Sequence, residues 1–141
     1  MSRIIKDVGF VHLHVHTAFS LREGALTISK LINFAKADKM PALAITDTNN
    51  LFGALEFSEK VSKDGIQPLV GMQLTVDFGD AALFGARAHD TGPGRASIVL
   101  LGQTEAGYAN LMKLASRAWL DSEAGDSPHV RFELFRNIAK A

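Results

Sequence analysis

Short apolar runs alternate with stretches of helical spacing along most of this chain, and that alternation limits its fold more than any other feature. Phe10 to Ser20, FVHLHVHTAFS, reads as a strand entering a polar turn, with His12, His14 and His16 on one face and Val11, Leu13 and Val15 on the other. Thr27 then caps a helix whose Ile28, Leu31, Ile32 and Ala35 recur at helical spacing. Ala42 to Ile45 is a continuous apolar run, as in a strand covered on both faces. A second helix is expected from about Leu51 to Lys63, with Phe52, Leu55 and Val61 inward, Glu56/Lys60 and Glu59/Lys63 as i,i+4 pairs, and Gly65 closing it. Gln67 to Phe78 reads as a strand with Gln73 on the face opposite Met72 and Leu74. This order predicts right-handed crossovers and a parallel α/β sheet, open or closed into a barrel.

The second half is less regular. Gly79, Gly85, Gly92, Pro93 and Gly94 make 79–95 an exposed loop or short hairpin, in which Arg87, His89 and Arg95 form either a small basic patch or a solvated rim. The Gly-Pro-Gly run has no following lysine and is not a phosphate loop. Ser97 to Leu101 restores a strand, and Thr104 caps a helix with Tyr108, Leu111, Met112, Ala115 and Trp119 on one core stripe. After the turn-rich 121–128, Val130 to Lys140 reads as a helix with Phe132, Phe135 and Ile138 inward. No strand follows it, so the domain reads as unfinished.

Composition excludes several functions. Fifteen basic residues balance fifteen acidic ones, so no global field draws the chain to nucleic acid or an anionic membrane. The absence of cysteine removes disulfides, thiolate zinc sites and cysteine nucleophiles. With no signal-peptide pattern and no apolar run near the ~20 residues of a membrane helix, the expectation is a soluble, cytoplasmic chain.

In parallel α/β folds, sites form at the carboxyl ends of strands. The candidates are therefore His12, His14, His16, Glu23, Asp47, Thr48, Asn49 and Gln73. Imidazole with carboxylate suits zinc, manganese or iron, and two histidines at i,i+2 can reach one ion. A two-metal phosphoesterase centre needs more anions than Glu23 and Asp47 supply. The same histidine row could equally be hydrogen-bonded lining, Asp47 a turn residue, and Ser20 a turn hydroxyl without a nucleophile elbow.

Four blocks, FVHLHVHTAFSLREGA, MPALAITDTNNLFGALEFS, GIQPLVGMQLTV and LLGQTEAGYANLMKLAS, in this order, resemble the amino-terminal PHP (polymerase and histidinol phosphatase) domain of bacterial replicative DNA polymerase alpha subunits. The resemblance implies that residues 1–141 form the N-terminal half of a distorted TIM-like (β/α) barrel with a metal cleft at its strand ends. It also implies polymerase catalytic carboxylates and their Mg2+ farther downstream. His14 and His16 match the family's His-x-His ligands, and Glu23 stands where active members carry Asp. Thr48, Gln73 and Ser97 stand where the family supplies His, Glu and His, so three ligand positions have lost their donors. What remains is a remnant that binds at most one zinc or manganese ion weakly. Such degenerate domains belong to polymerases that proofread with a separate exonuclease subunit, and the implied role is scaffold and docking surface for that subunit within the holoenzyme. DNA would be reached only through the parent polymerase, and uncovered apolar faces make self-association of the fragment an expectation. The contrasting expectation is a free-standing metal-dependent phosphoesterase acting on a small phosphate monoester or a DNA 3′ end.

Overall fold

Among the described residues, every strand pairs with one central strand. In the computed structural model, which describes residues 9–79 and 94–139, the elements are α1 (Ile28–Ala37), β1 (Ala42–Ile45), α2 (Ala54–Lys63), β2 (Gln67–Asp77), β3 (Arg95–Leu101), α3 (Glu105–Asp121), β4 (Val130–Arg131) and α4 (Phe132–Ala139). β1 runs parallel to β2 from Ala42↔Gln67 to Ile45↔Val70. The pairing continues beyond β1, where Gln73 N donates to Asp47 O at 3.0 Å, Asn49 N donates to Gln73 O at 2.8 Å, and Thr48 bridges to Gln73. Because Gln73 also pairs with Val99 of β3, Thr48 and β3 lie on opposite edges of β2. The polar end of β1 is thereby fixed beside the middle of β2.

Two apolar clusters hold these elements. Around β1, Ile28, Leu31, Ile32 and Ala35 of α1 meet Leu43, Ile45, Phe57 and Val61. Around the far half of β2, Met72, Leu74 and Val76 meet Leu111, Leu114 and Ala118 of α3 and Val130 of β4. Each fully buried Leu, Ile or Phe contributes about 1.5–3 kcal/mol, so these two clusters carry most of the stability. Thr27 and Thr104 cap α1 and α3, accepting from Lys30 N at 3.4 Å and Gly107 N at 3.0 Å. α2 ends as expected at Gly65, whose φ of +74° lets Gly65 N reach Ser62 O and Ile66 N reach Val61 O.

Several expectations are corrected. Phe10 to His16 is an extended segment and not a ladder strand. Ala44 N donates to His12 O and Thr46 N to Val15 O, so the four residues His12 to Val15 face the three residues Ala44 to Thr46, and Val15 N turns instead to the Thr46 hydroxyl at 3.0 Å. α2 begins at Ala54, three residues later than expected, because Asn49 takes a left-handed φ of +54° and Asn50 Oδ1 accepts from Phe52 N. The helix phase shifts with it. Phe57 is 0% exposed, while Phe52 and Leu55 are 67% and 72% exposed. Of the two expected i,i+4 pairs, Glu56–Lys60 closes at 2.6 Å and Glu59–Lys63 does not.

β3 is antiparallel to β2, where an all-parallel sheet was expected. Antiparallel neighbours need no crossover helix, and the stretch between them has no helical periodicity; residues 80–93, with Arg87 and His89 of the expected basic patch, lie outside the described residues. On α3 the core line is Leu111, Leu114 and Ala118, with Ala115 partly buried; Tyr108, Met112 and Trp119 are exposed. Val130 is not helical but pairs with Val76 in β4, and Phe132 stacks on Phe78 with ring centroids 5.0 Å apart.

The helix phase is testable. Phe57→Ala should cost about 3–5 kcal/mol in urea unfolding, and Leu55→Ala less than about 0.5 kcal/mol. Equal losses would mean that α2 packs in the other phase.

Candidate functional site

The site grows from the five polar residues Thr46 to Asn50 that end β1. Asp47 is 2% exposed and accepts three hydrogen bonds: from Thr17 N at 2.7 Å, the Thr17 hydroxyl at 2.8 Å and the Ser20 hydroxyl at 2.6 Å. Its carboxylate is committed to the turn that follows the extended segment. Ser20 is a turn hydroxyl in this arrangement, since its oxygen also accepts from Thr48 N at 3.0 Å. The turn continues through Glu23 N and Gly24 N, which both donate to Ser20 O. Gly24 is required there, because a Cβ would stand 2.2 Å from Thr17 O. This geometry delivers Glu23 to the cluster.

Five of the candidate side chains meet. His14 Nε2 donates to Gln73 Oε1 at 2.7 Å, and His16 Nε2 lies 3.1 Å from His14 Nε2 and 3.2 Å from the same amide oxygen. On the other edge of the His16 ring, Nδ1 donates to Glu23 Oε2 at 2.8 Å. The Thr48 hydroxyl donates to the same carboxylate oxygen. His12 stands apart, its ring packed edge-on against Phe10 at 4.7 Å. Ser97 sits on β3 opposite Thr75, and Asn49 points inward to Thr75 and Pro128 O.

An open cavity of about 750 Å³ lies beside the cluster. Glu23, Thr48, Gln73 and Ser97 line its polar side, and Phe19, Leu21, Phe52 and Trp119 its apolar side. The Trp119 indole N–H donates to Asn49 O at 2.7 Å, which explains why this tryptophan is 54% exposed and not in the α3 core. Arg95, the only cation lining the cavity among the described residues, is bound through both terminal nitrogens to Asp126, at 2.8 and 2.7 Å. Sequence reasoning named Asn49 among the candidates but missed Asn50 and Trp119, and did not foresee that Asn49 organises this cleft through its own hydrogen bonds. The run TDTNN was the available signal, since consecutive Asx residues after a strand favour side-chain-bonded turns.

Residues 12–141 match the PHP domain family. The chain belongs to that family. DNA polymerase III subunit alpha of Rickettsia conorii is 36% identical over 124 residues, covering 88% of this chain and 10% of that protein. The subunit of the same name from Thermus aquaticus is 37% identical over 133 residues, covering 93% and 11%. An error-prone DNA polymerase of Symbiobacterium thermophilum is 39% identical over 127 residues, covering 90% and 10%. The chain thus spans about a tenth of the length of the curated relatives it matches. Among solved structures, an amidohydrolase from Chromobacterium violaceum with bound sulfate and no metal aligns with a TM-score of 0.52 and 28% identity, over 76% of this chain and 34% of that one. This PHP domain therefore shares the barrel-type α/β architecture. No helix among the described residues is long and apolar enough to cross a membrane.

The PHP resemblance implies a metal cleft, and the donor set does not fit one. Glu23 and His14 approach opposite edges of the His16 ring, so no single ion can be bound by all three through that imidazole. On the Nε2 edge a cation would face two imidazoles and a neutral amide with no anion, and Asp47 is turned away into its own three donors. Among the described residues, no group of three or more His, Asp or Glu side chains is arranged to hold a metal ion.

Two outcomes follow. Asp47→Asn should cost roughly 3 kcal/mol in chemical denaturation, because buried donors lose their acceptors. The hydrogen bond from Arg95 holds Asp126 below its ordinary value of 3.8, at about 2. A depressed folded-state value stabilises the fold above the unfolded value, so this clamp should act above pH 3.8 and be lost as pH falls toward 2. A carboxyl-carbon NMR titration should show Asp126 returning toward 3.8 in Arg95→Ala.

Proposed function

We propose that this chain is the amino-terminal PHP segment of a DNA-directed DNA polymerase, the alpha subunit of DNA polymerase III, acting in chromosomal replication in the cytoplasm. The polymerase chemistry and its Mg2+ belong to sequence downstream of this segment. The segment itself is a non-hydrolytic scaffold and a docking surface for a proofreading exonuclease subunit of the holoenzyme. One observation carries the non-hydrolytic reading: Thr48 and Gln73 complete the histidine cluster with neutral groups, and Glu23 is spent on His16 and Thr48. The relatives named DNA polymerase III subunit alpha support the parent assignment.

The phosphoesterase reading finds less support. A phosphate monoester carries about two negative charges near neutral pH and needs cations or metal ions to bind it. Among the described residues the cavity offers Arg95 alone, and that guanidinium is already bridged to Asp126.

The natural-length chain carrying this domain should extend a primed DNA template with Mg2+ and co-purify with its exonuclease subunit. Its hydrolysis of p-nitrophenyl phosphate and of DNA 3′ ends should stay at background when zinc or manganese is added. Metal-dependent turnover abolished by His14→Ala would replace this reading with the phosphoesterase one.

A further inference from the structure

We infer that the proton on His14 Nε2 takes the place of a cation in this domain, tying the His14 imidazole to Gln73 Oε1 of the central strand and to His16 Nε2 by hydrogen bonds alone. The inference rests on the non-hydrolytic reading of the centre but not on the polymerase assignment.

The extended segment needs such a tie. It has no ladder, and its nearest backbone bonds to β1 are those accepted by His12 O and Val15 O. His14 lies in the bulge between them, so the backbone does not set the direction of its ring. Gln73, by contrast, is held rigidly. Its neighbours Met72 and Leu74 are fully buried, its own N–H and C=O bond to Asp47 and Asn49, and it pairs with Val99 on the other edge. A side chain on so fixed a backbone is a good anchor.

The hydrogen-bond partners assign the protons in one consistent way. Glu23 takes the Nδ1 proton of His16, which leaves His16 Nε2 as an acceptor. His14 Nε2 carries its own proton and shares it between Gln73 Oε1 at 2.7 Å and His16 Nε2 at 3.1 Å. The chain of donation runs from His14 through His16 to Glu23, which also accepts from Thr48. Both ring nitrogens that face Gln73 are therefore satisfied without an ion. The three atoms lie 2.7, 3.1 and 3.2 Å apart. Ligands about 2.0–2.1 Å from a tetrahedral ion lie roughly 3.3 Å apart, so the triangle has nearly the size of one face of a metal site, closed instead by a proton and an amide.

The test uses the natural-length chain, purified with and without EDTA. The wild type should carry far less than one zinc or manganese per chain by elemental analysis, with a Tm that neither EDTA nor added zinc moves. Gln73→Ala should lower Tm by about 2–4 °C, and the nitrogen-15 ring signals of His14 and His16 should lose their wild-type tautomer pattern. Gln73→Glu supplies the missing anion and should create a zinc site seen by calorimetry and by a zinc-dependent rise in Tm. Stoichiometric metal in the wild type would sink both this inference and the non-hydrolytic reading. An unchanged Tm and unchanged ring signals in Gln73→Ala, or no zinc binding by Gln73→Glu, would overturn the cross-link alone.

Discussion

The buried carboxylate of Asp47 joins the parts of this domain that have no other reason to meet. Its three hydrogen bonds fasten Thr17 and Ser20 to the end of β1, and through Ser20 they also fix the Thr48 backbone. A buried charge of this kind is tolerable only when its lone pairs are filled, and the hydroxyls and amide of the turn fill them. Without that turn, Glu23 would not reach His16, and the extended segment would lose its anchor at Thr17. Everything chemical in the cleft is therefore downstream of an interaction that takes no part in the chemistry.

That dependence shows which parts of the structure were legible in the sequence. Caps announce themselves locally, because a Thr before an apolar-periodic stretch or a Gly after one satisfies backbone groups within a few residues. Thr27, Thr104 and Gly65 accordingly do what their positions implied. The placement of Gln73 on the face of β2 opposite Met72 and Leu74 was equally plain, since it follows from period two alone. Periodicity failed where side chains capture the backbone. Asn49 and Asn50 delayed α2 and rotated its buried face to Phe57, and the Thr46 hydroxyl took the Val15 N–H that a ladder would have used. The α3 stripe was misphased for a related reason: Trp119 looked like core but spends its N–H on Asn49 O. Of the site, His14, His16, Glu23, Thr48 and Gln73 were all named from sequence, and the structure brings them together. The links of the cluster to Gln73 and Thr48, and the withdrawal of Asp47 from the group, depend on contacts 25 to 59 residues apart and carried no local signal.

The cluster also shows how a site can lose its anions and keep its shape. Removing a carboxylate from a metal centre ordinarily leaves its imidazoles with no protein partner to face. Here a hydroxyl and a carboxamide supply matching neutral partners, and among the described residues no buried side-chain nitrogen or oxygen lacks one. The one charge that remains, on Glu23, accepts from both His16 and Thr48 and so needs no cation. Hydrogen-bond satisfaction is met without an ion, and the single negative charge on Glu23 is held by its two donors. A network of this kind removes the pressure to keep a metal, because the fold no longer requires one.

Asn49 extends the same logic from the cluster to the rest of the cleft. Its side chain donates to Thr75 Oγ1 and Pro128 O and accepts from Thr75 N, while its carbonyl holds the Trp119 indole. One residue at the end of β1 thus ties β2, the 121–128 turn and α3 to the loop that carries Thr48. The left-handed backbone of Asn49 makes this possible, since it turns the carbonyl toward α3 while the side chain points inward. The apolar wall built by Phe52 and Trp119, whose rings lie 6.4 Å apart, is consequently set by the same turn that sets the polar floor. A partner resting on that wall would therefore meet a surface whose shape is coupled to the histidine cluster, without needing any chemistry from it.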